Sequence, residues 1–103
     1  MILSTTENIP GKNYEVLGIV TGSVVRTKHL GRDIMAGFRN LVGGEIPGYT
    51  ELLIESRQIA TDRMLKEAKN LNADAIVCLR YTTSAVMSGA SESVAFGTAV
   101  KFV

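Results

Sequence analysis

The run Tyr14–Arg26 (YEVLGIVTGSVVR) is rich in β-branched side chains and carries no charge from Val16 to Val25. Such a run predicts a long strand. Regular pleating puts Tyr14, Val16, Gly18, Val20, Gly22 and Val24 on one face. Leu17, Ile19, Thr21, Ser23 and Val25 fall on the other. A strand in a small monomer ordinarily keeps one wetted face, yet here both faces are largely uncharged between Val16 and Val25. Gly18 and Gly22 leave a gap that suits either a closely packed helix or a contact with a ligand or another subunit.

The rest of the chain supplies the helices and a hairpin. Leu30, Ile34, Phe38 and Leu41 recur at helical spacing and predict a first helix over about Gly31–Val42, stopped by Gly43-Gly44. After the turn Glu45–Tyr49, Thr50 is the expected cap of a second helix over about 51–71. Its apolar stripe is Leu53, Ala60, Met64, Ala68 and Leu71, widened by Leu52, Ile59 and Leu65. Asp62–Lys66 and Arg63–Glu67 are spaced as surface ion pairs, and Asn70 or Asn72 can terminate the helix. Residues 74–86 and 92–102 read as two strands joined by a turn at 87–91. The last strand is two-sided: Val94, Phe96, Val100 and Phe102 are large, while Ser93, Ala95, Gly97 and Ala99 are small.

The order β-α-α-β-β, with a right-handed helical crossover, predicts an antiparallel three-stranded sheet in the order 1-3-2. Both helices are expected on one face, in a two-layer α+β unit. The uncovered face then remains apolar, and such faces mark interfaces, so a homo-oligomer is expected.

The 103 residues suffice for one domain, 1–103. Eleven basic against ten acidic residues give a formal charge of +1, which lacks the phosphate attraction of a nucleic-acid binder and the pull toward anionic membranes. One cysteine permits no intrachain disulfide. Met1–Thr6 has neither a basic region nor an apolar stretch, so no secretory signal is expected. No window reaches the roughly 20 apolar residues of a membrane span, and the expected compartment is the cytoplasm.

Five ordered segments carry a resemblance. They are Gly18–Gly22 (GIVTG), Arg32–Gly44 (RDIMAGFRNLVGG) with Tyr49, Ala73–Val77 (ADAIV) and Gly97–Lys101 (GTAVK). Together, over nearly the whole chain, they resemble the YbjQ family of small, uncharacterised bacterial and archaeal proteins. The resemblance implies a dodecin-like subunit, assembly into rings typically of five, and a heavy-metal-binding label. It also implies acidic residues on the strand at 80–84, where this chain has Arg80-Tyr81-Thr82-Thr83-Ser84.

The residues themselves give that label little to work with. Soft divalent metals want several Cys or His ligands close together, whereas Cys78 and His29 stand forty-nine positions apart. Cys78, in the run Ile76–Leu79, reads as a buried thiol, and His29 as a solvated loop residue. They remain the weak metal candidates, through a site shared between subunits. No nucleophile elbow, acid–base dyad or phosphate loop is present, and no cofactor is indicated.

The most suggestive polar group is Arg32, Asp33 and Arg39 with Gly43, Gly44 and Tyr49. Arg32 and Arg39 are two helical turns apart and share a face. They suit salt bridges between subunits or a pocket for an anion. The expected function is a small-ligand or metal-binding scaffold with sites at subunit junctions. The alternative is an enzyme whose site lies at the same junctions and uses Arg39, Asp33 and Tyr49.

Overall fold

The computed structural model describes residues 1–27 and 48–103. The expected first helix, about Gly31–Val42, lies outside the described residues. Those described form strands β1 (Ile2–Leu3) and β2 (Tyr14–Thr27), helix α1 (Tyr49–Asn70), then β3 (Ala75–Met87) and β4 (Ala90–Phe102). The sheet is four-stranded, in the order β1-β3-β4-β2. β4 pairs antiparallel with both β2 and β3, while β1 pairs parallel with β3.

This corrects the expected fold class. A wholly antiparallel three-stranded sheet bearing two helices is replaced by a mixed four-stranded sheet with one helix among the described residues. The added strand is two residues long, too short to leave a period in the sequence. It is held by its surroundings: Ser4 N–H donates to Ile76 O at 2.9 Å, and Leu79 N–H donates to Ser4 O at 3.0 Å.

Two bulges change which side chains share a face. In β2 the register with β4 shifts between Val16 and Gly18, leaving Leu17 as the extra residue. In β3 it shifts between Val77 and Arg80, so Cys78 and Leu79 together oppose Gly97. An inserted residue reverses the alternation beyond it. Tyr14 accordingly leaves the face of Gly18–Val24 and joins Ala75, Val77, Val100 and Phe102 on the other side. In β3, Leu79 crosses to the α1 side, although Ala75 and Val77 do not.

The main core lies between α1 and the sheet. Its members are Val20, Val24, Ala60, Met64, Ala68, Ile76, Leu79, Ala95 and Ala99. Along α1 the buried line Leu52, Ser56, Ala60, Met64, Ala68 steps by four residues. Leu71, expected on the stripe, is exposed, and Leu53 is only half-buried. The small side chains at positions 56, 60 and 68 let the helix settle onto the backbone of β2. A Cβ on Gly22 would collide with the carbonyl oxygen of Ala60 and the amide nitrogen of Met64.

Gly18, the other half of the expected gap, has open space around it and a φ of 150° beside the bulge. Gly97 is also sterically required, since a Cβ there would sit 2.6 Å from Ile76 Cγ2 and 3.1 Å from Val77 O.

The ends of α1 follow from local chemistry. Gly48, at φ 75°, precedes the helix, and no side chain caps it. Thr50 therefore lies inside the first turn, not at the cap. At the other end Asn72 adopts φ 59°. Asn72 N–H donates to Lys69 O at 3.0 Å and Ala73 N–H to Ala68 O at 3.1 Å, the paired closure of a left-handed helix stop. Arg63 reaches across to Ser23 O at 2.6 Å, so its partner is β2 backbone.

Gly22→Ala should destabilise the protein by at least about 2 kcal/mol, because the obstructing atoms are helix backbone and cannot swing aside. Ser23→Ala, one residue along on the exposed face, should change stability by less than about 0.5 kcal/mol. Urea unfolding of both variants at one protein concentration checks the pair.

Candidate functional site

Of the residues singled out in the sequence, His29, Arg32, Asp33, Arg39, Gly43 and Gly44 lie outside the described residues. Tyr49 is the first residue of α1 and half-buried. Cys78 occupies the β3 bulge at φ 55°, a left-handed conformation that few non-glycine residues adopt. Its N–H donates to Thr6 O at 3.3 Å, and its side chain packs partly buried beside Ala75, Val77, Val100, Ile9, Tyr14 and Phe102. That cluster is on the side of the sheet away from α1. The sheet therefore separates Cys78 from Tyr49. The thiol, expected inside the main core, is half-exposed because the bulge turns it out of that core.

Among the described residues no group of three or more His, Cys, Asp or Glu is placed to hold a metal ion. Asp74 is committed to structure: its Oδ2 accepts Phe102 N–H at 2.8 Å and lies 3.5 Å from Lys101 Nζ. This contact joins the ADAIV and GTAVK segments. Arg80, on the stretch 80–84 where the resemblance implied acidic residues, donates to Thr5 O at 2.9 Å and Leu79 O at 2.8 Å. It pins the N-terminal segment over the bulge.

What the sequence reading missed is a layer of hydroxyls between α1 and the outer half of β3 and β4. Ser56, Thr61, Ser91 and Ser93 are buried there. Ser56 Oγ donates to Leu52 O at 2.7 Å, and Thr61 Oγ1 donates to Arg57 O at 2.7 Å. Thr61 Oγ1 also lies 2.9 Å from Tyr81 Oη. A threonine hydroxyl has one hydrogen, already given to Arg57, so Tyr81 is the donor in that pair. Among the described residues nothing donates to the Tyr81 oxygen. Ser93 Oγ is buried with no hydrogen-bond partner among the described residues. The signal was faint: Ser56 and Thr61 interrupt an otherwise apolar helix face, and Tyr81 stands alone among small polar residues.

The outer half of the sheet has a second property. β4 turns its small side chains, Ser93, Ala95 and Ala99, toward α1, and its large ones, Val94 and Phe96, away from it. Ile19 on β2 is 78% exposed and Val25 56%. The apolar face expected to remain bare is therefore the one with the larger side chains.

The whole chain, residues 1–103, matches the family model YbjQ, described as "Putative heavy-metal-binding". The chain belongs to the YbjQ family. It is 58% identical over 104 residues to a UPF0145 protein of Vibrio campbellii, covering all of both chains. A UPF0145 protein of Thermotoga maritima is 59% identical over 102 residues, covering 98% of this chain and 96% of that one. Among solved structures, a DUF74-family protein of unknown function from Pediococcus pentosaceus superposes with a TM-score of 0.66. That match covers 100% of this chain and 98% of the other at 19% identity, a likeness of fold. No helix among the described residues of this YbjQ-family chain is long and apolar enough to cross a membrane.

Tyr81→Phe should cost about 0.5–1.5 kcal/mol, the net value of one hydrogen bond, while Thr61 keeps its bond to Arg57. Thermal unfolding at fixed protein concentration reads this. An unchanged midpoint would show that the Tyr81–Thr61 contact contributes nothing.

Proposed function

We propose that this chain is the subunit of a homo-oligomeric binding protein, a ring of five, that holds a small ligand or metal ion where subunits meet. The carrying observation is the outer face of the sheet, where Ile19, Val25 and Phe96 are exposed and Val94 half-buried, with no described element packed over them. Large apolar side chains left in water on a small domain favour association. The dimensions support the same reading. The radius of gyration is 17.2 Å, against about 13 Å for a globular domain of a hundred residues.

The family description supports a metal as the ligand, and the chemistry of the donors directs where it would sit. Cys78 is the thiol of the chain and His29 its imidazole. A soft metal needs about three or four such donors, so in this reading equivalent residues from several subunits converge on one ion. Arg32, Asp33, Arg39, Gly44 and Tyr49 are the junction residues of the proposal if the ligand is an anion.

Native mass spectrometry should give an assembly of about 56 kDa, five copies of the 11.1 kDa chain. Zinc or copper titration should saturate well below one ion per subunit, with binding abolished by Cys78→Ser or His29→Ala. A monomer mass at micromolar concentration, or one ion per subunit retained in the double variant, would contradict the reading.

A further inference from the structure

We propose that the hydroxyl layer between α1 and the outer half of the sheet binds a small neutral molecule carrying an amide-like pair, an N–H donor beside a carbonyl oxygen. Each chain builds this place by itself, so the inference goes beyond the ring and its junctions and does not rest on them. α1 lies over β2 and β4 and barely touches β3. Tyr81 of β3 faces the helix, where it bonds Thr61, and Thr83 and Ala85 follow on the same face. All three are nevertheless exposed. Between that bare strip and the helix runs a shelf of the sheet, with Ser91, Ser93 and Ala95 of β4 as its floor.

Ser93 is the observation that points to a ligand. It is 1% exposed, and its Oγ has no hydrogen-bond partner among the described residues. A buried hydroxyl without a partner is costly, and folded proteins hold few of them. The register sets Ser93 directly opposite Thr83 and diagonally opposite Tyr81, all on the helix side. Diagonal neighbours on one sheet face stand about 7 Å apart. A small amide with a hydrogen bond of about 2.9 Å at either end covers that span. The serine side chain turns about a single bond, so one change of rotamer carries Oγ toward Thr83 and the open side.

The hydrogens already spent define the occupant. Ser56 gives its hydrogen to Leu52 O, Thr61 to Arg57 O, and Tyr81 to Thr61. These three oxygens therefore present lone pairs only, which disfavours an anion. Arg57, one turn before Thr61, is exposed and keeps its charge in water. A cation would need a carboxylate, and none of the helix-side residues 81, 83, 85, 91, 93 and 95 is acidic. Burying an unpaired charge costs far more than burying a neutral group. A neutral N–H for the Tyr81 oxygen, beside a carbonyl that accepts from Ser93, matches what is left over at both positions. Thr83 adds a hydroxyl that can donate or accept. Primary amides, ureides and the edges of pyrimidine bases share this chemistry.

Saturation-transfer NMR on the full chain tests the site with three probes of one shape and different charge: acetamide, acetate and acetamidinium. Uracil serves as the cyclic amide. Acetamide and uracil should both receive saturation and displace one another, and the two ions should receive none. Tighter binding of uracil marks a pyrimidine-type ligand, and tighter binding of acetamide a primary amide. Ser93→Ala should weaken both at least tenfold. Its thermal midpoint without probe should equal or exceed that of the parent, because an unpaired buried hydroxyl has been removed. Signal from none of the four probes means that water alone fills the shelf and overturns the proposal. Binding undiminished in Ser93→Ala, or a preference for either ion, overturns it too. A lower midpoint for Ser93→Ala without probe shows that Oγ is already satisfied, with the same consequence. None of these outcomes depends on the mass of the assembly, so a monomer mass, which overturns the ring, leaves this site to be decided by its own test.

Discussion

The structure depends on how closely α1 approaches the backbone of β2 at Gly22. Ala60 and Met64 of the helix occupy the space a side chain at that position would need. Such an approach is possible only if the surrounding residues are small. Ser56, Ala60 and Ala68 on the helix, and Ser93, Ala95 and Ala99 on β4, meet that condition. Close contact gains dispersion attraction along the interface and leaves little void. It also fixes the sheet's polarity of faces: once the small residues of β4 go under the helix, the large ones must point the other way.

The two bulges and the N-terminal segment form one further unit. The β3 bulge frees the N–H groups of Cys78 and Leu79 from the ladder with β4, and Thr6 O and Ser4 O accept them. Gly97 opposes the bulge, where the Ile76 side chain and the Val77 carbonyl oxygen crowd the place its own side chain would take. Buried backbone groups need partners, and here the segment just after β1 supplies them. The same arrangement builds a smaller second core from Ala75, Val77 and Val100, covered by Ile9, Tyr14, Cys78 and Phe102.

Much of this was legible in the sequence, and the failures have identifiable causes. β-branched runs bounded by turn residues marked β2, β3 and β4 to within two residues, and the closely approached glycine at 22 followed from its place on the strand face. The bulges were not legible, because Leu17, Cys78 and Leu79 are apolar and suit either side of a sheet. β1 was too short for any period, so the sheet was expected with one strand too few. Thr50 suits a cap, but Gly48 in a left-handed conformation takes that place and the helix begins two residues earlier, at Tyr49. Of the candidate site, Cys78 was misplaced by the bulge it sits in, and the hydroxyl layer around Thr61 and Tyr81 was hidden within a helix read for its apolar stripe.

In the proposed assembly the tightly seated helix leaves the large-residue face of the sheet to neighbouring copies. Thiol labelling of Ile19→Cys and of Val25→Cys, each in a chain carrying Cys78→Ser and followed across a dilution series, tests this most directly. Both positions are exposed in the single chain. At assembled concentrations labelling should be slow, and it should quicken as dilution separates the subunits. Fast labelling at every concentration, in a particle that remains oligomeric, would contradict the proposal.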